Sequence, residues 1–290
     1  MYKRCSLGLL AFMASASMAQ AEEYKLNLGL FYANSDSNIL VSNTKGGTFP
    51  LSFEDDLMLD EKQFLPYFEF AYDFNERHHL YIDWKQLHRT AETPSLEKAF
   101  QIRLDGVDYD VKAGGKLQTT LDIDIMRLGY GYDIWQGTNY SIGASLGLHT
   151  MFVKTEFEGT IGICVPDNSS TQLCDNAIAN PQVIDENFTA PLPNLGVYGN
   201  YEFYPGWQLK IHAQYFAIEY KDVKGSLKDI KIGVEAKVAD HWFLDLAYNY
   251  YRVDVDIAET STKNGQSFKV SDYRIDYSFT GPVFSVGFRF

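Results

Sequence analysis

From Tyr24 to Phe290 this chain places apolar side chains at every second position, in segment after segment. The clearest case sets Phe64, Pro66, Phe68, Phe70, Tyr72 and Phe74 on one side against Leu65, Tyr67, Glu69, Ala71 and Asp73 on the other. A period of two is the geometry of a β-strand whose two faces meet different surroundings. The last stretch repeats it, with Pro282, Phe284, Val286, Phe288 and Phe290 opposing Val283, Ser285, Gly287 and Arg289. A strand of this kind at a terminus cannot stay a free edge, because unpaired amides beside an apolar face invite aggregation. Closing the sheet on itself removes the edge. Beyond residue 21 no uninterrupted apolar run approaches the length a membrane helix needs. If these apolar faces meet lipid, every backbone polar group must be satisfied within the sheet, and the sheet must close into a barrel.

Residues 1–21 read as a secretory signal peptide. Lys3 and Arg4 form its basic start, Leu7 to Ala16 its apolar run, and Ala19-Gln20-Ala21 a cleavage site of small residues. Its loss removes two basic and no acidic residues, so the formal charge moves from -13 to -15. That acidity argues against a nucleic-acid partner, for which a basic stripe is the expected footprint. The mature chain, residues 22–290, is expected to be one domain.

The terminal strand, with Phe284, Val286, Phe288 and a final Phe290, resembles the carboxy-terminal signal strand of Gram-negative outer-membrane proteins. In that family the barrel-insertion machinery recognises the last Phe. The resemblance implies an outer-membrane location, with bilayer lipid and lipopolysaccharide as surroundings.

Period-two segments separated by turn signals predict ten strands: about residues 24–41, 57–74, 78–92, 117–134, 139–158, 187–204, 207–221, 226–238, 241–257 and the terminal strand. A small hairpin is expected over 100–110. Long polar connections follow the odd-numbered strands, except the seventh, where residues 222–225 form a short link. Tight turns at Asn75-Glu76-Arg77, Gln136-Gly137-Thr138, Pro205-Gly206 and Ala239-Asp240 follow the even ones. This is the asymmetry of short periplasmic turns and long outer loops. Aromatics gather near the short turns (Phe74, Trp135, Tyr140, Tyr204, Trp207, Trp242). A second set, including Phe64, Trp84, Phe152, Tyr215 and Tyr250, lies about eight to ten residues up the strands, roughly one membrane crossing. The fold class is therefore all-β, a ten-stranded antiparallel transmembrane barrel. A soluble lipocalin-like barrel, apolar face inward, is the alternative. Pro66 is expected at a bulge or high in its strand. Because Tyr273, Ile275, Tyr277 and Phe279 carry apolar groups on the odd positions, a bulge is expected at Gly281-Pro282.

Cys164 and Cys174 remain after export, in a polar stretch without a nearby His, and a disulfide is favoured over a metal site. No metal and no cofactor are expected.

With apolar faces toward lipid, the lumen receives Glu69, Asp73, Asp83, Lys85, Arg127, Asp133, His149, Glu202, Lys210, His212, Lys231, Glu235, Lys237, Asp245 and Arg289. In a narrow barrel such charges must pair, so a sealed polar core is favoured over a selective pore. Omptin proteases resemble this chain in size and strand number; that resemblance implies acidic pairs and a His-Asp couple at the outer rim. Here His212 is expected well below the rim, and Asp122 and Asp124 have no evident His partner. Ser145 and His149 share a face roughly 13 Å apart, too far for a nucleophile and its base. Three functions stay open: a structural or narrow-passage barrel, an outer-membrane hydrolase acting on peptide or lipid, and a loop-based adhesin.

Overall fold

The computed structural model describes residues 23–42, 47–104, 107–163, 178–220, 223–263 and 266–290. The expected signal peptide and the Cys164/Cys174 pair lie outside them. Ten long strands form the wall: β1 Glu23–Ser42, β3 Lys62–Asp73, β4 His78–Thr93, β7 Leu117–Gln136, β8 Tyr140–Ile163, β9 Ile178–Tyr204, β10 Trp207–Tyr220, β11 Val223–Lys237, β12 Trp242–Lys263 and β13 Gln266–Arg289. Three short strands sit above them: β2 Thr48–Ser52, β5 Phe100–Leu104 and β6 Val107–Val111. All ladders are antiparallel, and β1 pairs with both β3 and β13, which closes the barrel. At the seam Tyr24 and Phe290 exchange backbone hydrogen bonds of 3.0 Å, and their rings stack at 5.4 Å.

The short turns are built locally. Asn75 Oδ1 accepts from the amides of Arg77 and His78 at 2.8 and 3.1 Å, and Gly206 turns the β9–β10 hairpin at φ 79°, a conformation open to glycine.

The two faces of the wall exchange character at one height. On β7 the outward side chains run Ile134, Tyr132, Tyr130, Leu128 and Met126, then become Asp124 and Asp122. The inward ones run Asp133, Gly131, Gly129 and Arg127, then become Ile125, Ile123 and Leu121. The same exchange falls between His149 and Met151 on β8, Asn249 and Tyr251 on β12, Ser285 and Val283 on β13, and Lys85 and Leu87 on β4. Below this ring the barrel is apolar outside and polar inside, as lipid demands. Above it, where water replaces lipid, the barrel is polar outside and folds around an apolar core. The upper half is thus built like the soluble alternative.

Three sequence expectations are corrected. No bulge occurs at Gly281-Pro282: the β12–β13 register runs unshifted from Trp242–Phe288 through Tyr248–Pro282 to Glu259–Ser271. From Ile275 to Gly287 the odd positions of β13 face inward, and what changes is the interior. Within the stretches read as loops, residues 159–163, 178–186, 258–263 and 266–271 are strand, since β8, β9, β12 and β13 continue above the membrane. Residues 57–61 are not strand; Leu57 and Leu59 join Phe53 in a cap over the core. Pro66 does lie high in β3, above the first β3–β4 pair at Tyr67–Lys85, where its missing donor costs no ladder bond to β4. The hairpin at 100–110 forms as β5 and β6.

Gly281 sits where a Cβ would collide with the Tyr32 carbonyl oxygen across the closing seam. Gly281→Val is expected to destabilise the barrel by about 1–3 kcal/mol, as overpacking does. Gly115→Ala, at a site with only one neighbouring atom at 3.6 Å, is expected to be neutral. Urea unfolding in lipid vesicles, followed by Trp fluorescence, compares the two.

Candidate functional site

The polar lumen has two layers below the apolar core. In the upper layer Arg127, buried, bonds Asp83 on one side and reaches Gln214 at 3.0 Å and Asp229 at 3.5 Å on the other. Its guanidinium lies 4.9 Å from the Tyr81 ring centre. Lys231 reaches Glu69 at 3.6 Å and donates to Tyr67 at 2.9 Å, and Tyr67 donates to Glu69 at 2.5 Å. Lys85 donates to Asn249 at 2.8 Å, and Asn249 to Asp229 at 2.7 Å. Three cations thus face three carboxylates, each within reach of an opposite charge or a hydrogen-bond partner, which is what makes their burial tolerable.

The lower layer opens toward the periplasm as a vestibule of about 710 Å3. Glu235, buried, is ringed by Lys25, by Lys210 at 2.6 Å and by Arg289 at 2.6 Å. Across the opening His79 bridges Asp73 at 2.6 Å and Asp133 at 3.3 Å, and Tyr198 donates to Asp133 at 2.5 Å. Glu202 accepts from the Gly206 amide at 2.7 Å and so braces a turn. Asp245 lines the vestibule beside its cross-strand neighbour Glu235. Lys237 lies exposed at the rim.

Above both layers the interior is closed. Phe31, Leu65, Leu87, Ile123, Ile125, Tyr251 and Phe279, with Lys85 and Gln86, line a residual space of about 10 Å3, room for one water at most. Higher still, Arg89 pairs with Glu54 and donates to Ser37 at 2.7 Å, beneath the cap of Phe53, Leu57 and Leu59.

His149 bonds Gln214 at 3.0 Å. His212 reaches Ser145 at 3.1 Å, a Ser–His contact that strand spacing hid because it spans β8 to β10 across β9. Tyr81 and Tyr198 flank the His212 ring edge-on, and among the described residues no carboxylate hydrogen-bonds it. The contact lacks the third group that orients a catalytic base. Asp124 does have a His partner, His88 at 3.2 Å, but both point outward from the wall.

Sequence reasoning passed over Lys25, His79, Tyr67, Tyr81, Tyr198, Gln214, Asp229 and Asn249 as members of the network. Strand parity carried the signal, since each except Lys25 shares the inward face of its strand with a residue already assigned there.

Above the membrane, Asp254 and Asp276 stand directly opposite on β12 and β13. Burial, then the hydrogen bond and charge of Asp254, push the Asp276 carboxyl up to about 6. The folded state therefore binds this proton more tightly than the unfolded chain, and the stabilisation it gives is lost as pH rises through about 6. Asp276→Asn is expected to gain urea resistance relative to wild type on going from pH 5 to pH 7.5. In the lumen, Arg127→Met leaves Asp83 without its ion-pair partner and Asp229 with Lys85 alone nearby, and is expected to cost about 3–5 kcal/mol. Arg127→Met with Asp83→Leu should recover part of that loss in the same unfolding measurement.

No family model and no curated protein sequence matches the chain. Among solved structures it is similar to the outer membrane protease OmpT from Escherichia coli, with a TM-score of 0.56 and 12% identity over 95% of this chain and 99% of that one. At that identity the likeness concerns the fold alone. Ail of Yersinia pestis and the toluene transporter TodX of P. putida each match at a TM-score of 0.33, with 10% and 9% identity. They cover 93% and 92% of this chain and 99% and 89% of their own, and likeness at that score carries no argument. By its closure, its strand count and its inverted lower half, the chain has the fold of a ten-stranded outer-membrane β-barrel.

Proposed function

We propose that this protein is a non-conducting outer-membrane barrel that acts by binding at the cell surface, through the part of the wall that stands above the lipid. The observation that carries this reading is the apolar core closing the lumen above Arg127. A solute entering the vestibule meets first a neutralised charge network and then packed Phe, Leu, Ile and Tyr side chains. Neither layer offers the water-filled path that a polar pore requires. The vestibule widens only toward the periplasm.

The positions of the histidines weigh against protease chemistry at the outer rim. All six are described: His78, His79 and His241 lie near the periplasmic end, His149 and His212 in the lumen, and His88 on the outer face. Lipid and lipopolysaccharide around the apolar band, and insertion machinery reading Phe284, Val286, Phe288 and Phe290, belong to the same proposal. The outward placement of Phe284 and Phe290 supports it.

The reading is tested in planar bilayers with the refolded full chain. We expect no unitary conductance in wild type at any holding potential the bilayer tolerates. Steady single-channel currents in wild type would overturn the sealed-barrel reading.

A further inference from the structure

Above the membrane the wall is split between β9 and β10. Their pairing ends at Leu195–Tyr215. Beyond that point, among the described residues, β10 continues to Tyr220 paired with β11 alone, and β9 continues up to Ile178 paired with β8 alone. Among the described residues, nothing pairs with the other edge of β9 from Asn194 upward.

The orientation of that edge follows from register. The Glu202 amide donates to the Asn139 carbonyl at 2.7 Å, so even positions of β9 direct their backbone groups toward β8. The β8–β9 register runs unshifted from Tyr201 to Ile178. Odd positions therefore direct theirs toward β10 below and into the gap above. Pro181, Pro191 and Pro193 are all odd, and proline on an open edge blocks strand addition. Between them Val183, Asp185, Asn187 and Thr189 have four N–H and C=O pairs with no ladder partner among the described residues.

Beside the gap the core is only half covered. Phe188 and Ala190 on β9 and Phe216 on β10 are partly buried against the core, while Ile184 and Leu192 are buried in it. The outer face of the β8–β9 lip is acidic. Glu156 and Glu158 on β8 stand opposite Asp185 and Val183, and the cation beside them, Lys154, is engaged with Glu156 at 3.0 Å; on the far lip Glu219 is bonded to Lys224, and Lys228 stands opposite Tyr215.

We infer that this edge is a β-augmentation site for an extended peptide segment of another protein, with apolar side chains turned into the gap and basic ones outward. Main-chain bonds to the four open positions supply the ladder, and alternate side chains supply the selectivity. A second copy of this chain does not fit. Copies in one membrane are related by rotation about its normal, so their strands, tilted by roughly 35–45°, cross where the walls meet and cannot form a ladder. The inference rests on the surface-binding reading proposed above.

The test uses the refolded full chain in detergent micelles and an end-blocked, fluorescein-labelled octapeptide of alternating Val and Lys, read by fluorescence anisotropy. We expect saturable binding, at least tenfold weaker for the matching Val–Glu peptide and for Asn187→Pro, and unchanged for Asn187→Ala. Asn187→Pro adds a fourth odd-position proline and leaves the β8 ladder intact. If that variant does not fold, a Val–Lys peptide N-methylated on its amides probes the same bonds from the ligand side and is expected to lose binding. Absence of saturable binding, equal binding of the Val–Glu peptide, or indifference to both the proline and the N-methyl groups would overturn the inference. A barrel that stays silent in bilayers yet fails these tests sinks the edge site alone, whereas one that conducts sinks the surface reading.

Discussion

The change of solvent at the outer membrane boundary governs this molecule. A single β-wall crosses from lipid into water, and at the crossing both of its faces reverse. Inside the bilayer the outer face must be apolar, which leaves the charged residues to the lumen. Above it the outer face must be wet, so the apolar side chains turn inward and pack as in a soluble barrel. Strand parity never shifts at the boundary: β7 carries Arg127 and Ile125 on one inward face, two residues apart, with opposite environments around them.

That reversal has a consequence for the lumen. The apolar core of the upper half sits on top of the polar network of the lower half and seals it. The network must then satisfy itself, which Arg127, Lys231 and Lys85 achieve with Asp83, Asp229, Glu69 and Asn249. The charge at the periplasmic end is less tightly enclosed, and the vestibule there mixes cations around Glu235 with the His79 carboxylate bridge. A sealed interior moves any role in recognition to the outer surface of the extension.

The extension is not a closed cylinder. Ten strands close fully within the membrane because an open edge there would strand backbone groups in lipid. Water imposes no such demand above, so β9 and β10 part company at Leu195 and Tyr215. Three prolines then guard part of the exposed β9 edge, leaving the rest available.

Much of this was legible in the chain. Alternation in Phe64–Phe74 and Pro282–Phe290, with turns at Asn75 and Pro205-Gly206, determined the strand number, the closure and which residues face lipid, because a two-residue period and turn chemistry are local properties. The inward list from Glu69 to Arg289 followed from the same parity. What only the tertiary structure decided was which inward groups meet. The Ser145–His212 contact spans an intervening strand, Arg127 touches residues 44 and 102 positions away, and the polar-looking stretches near Ile161 and Ile184 became strand by pairing with each other. Whether the lumen is open was likewise a tertiary matter. Period two says which face a side chain takes, while its height in the barrel, set by register around the whole closed wall, decides whether that face meets water, lipid or a core.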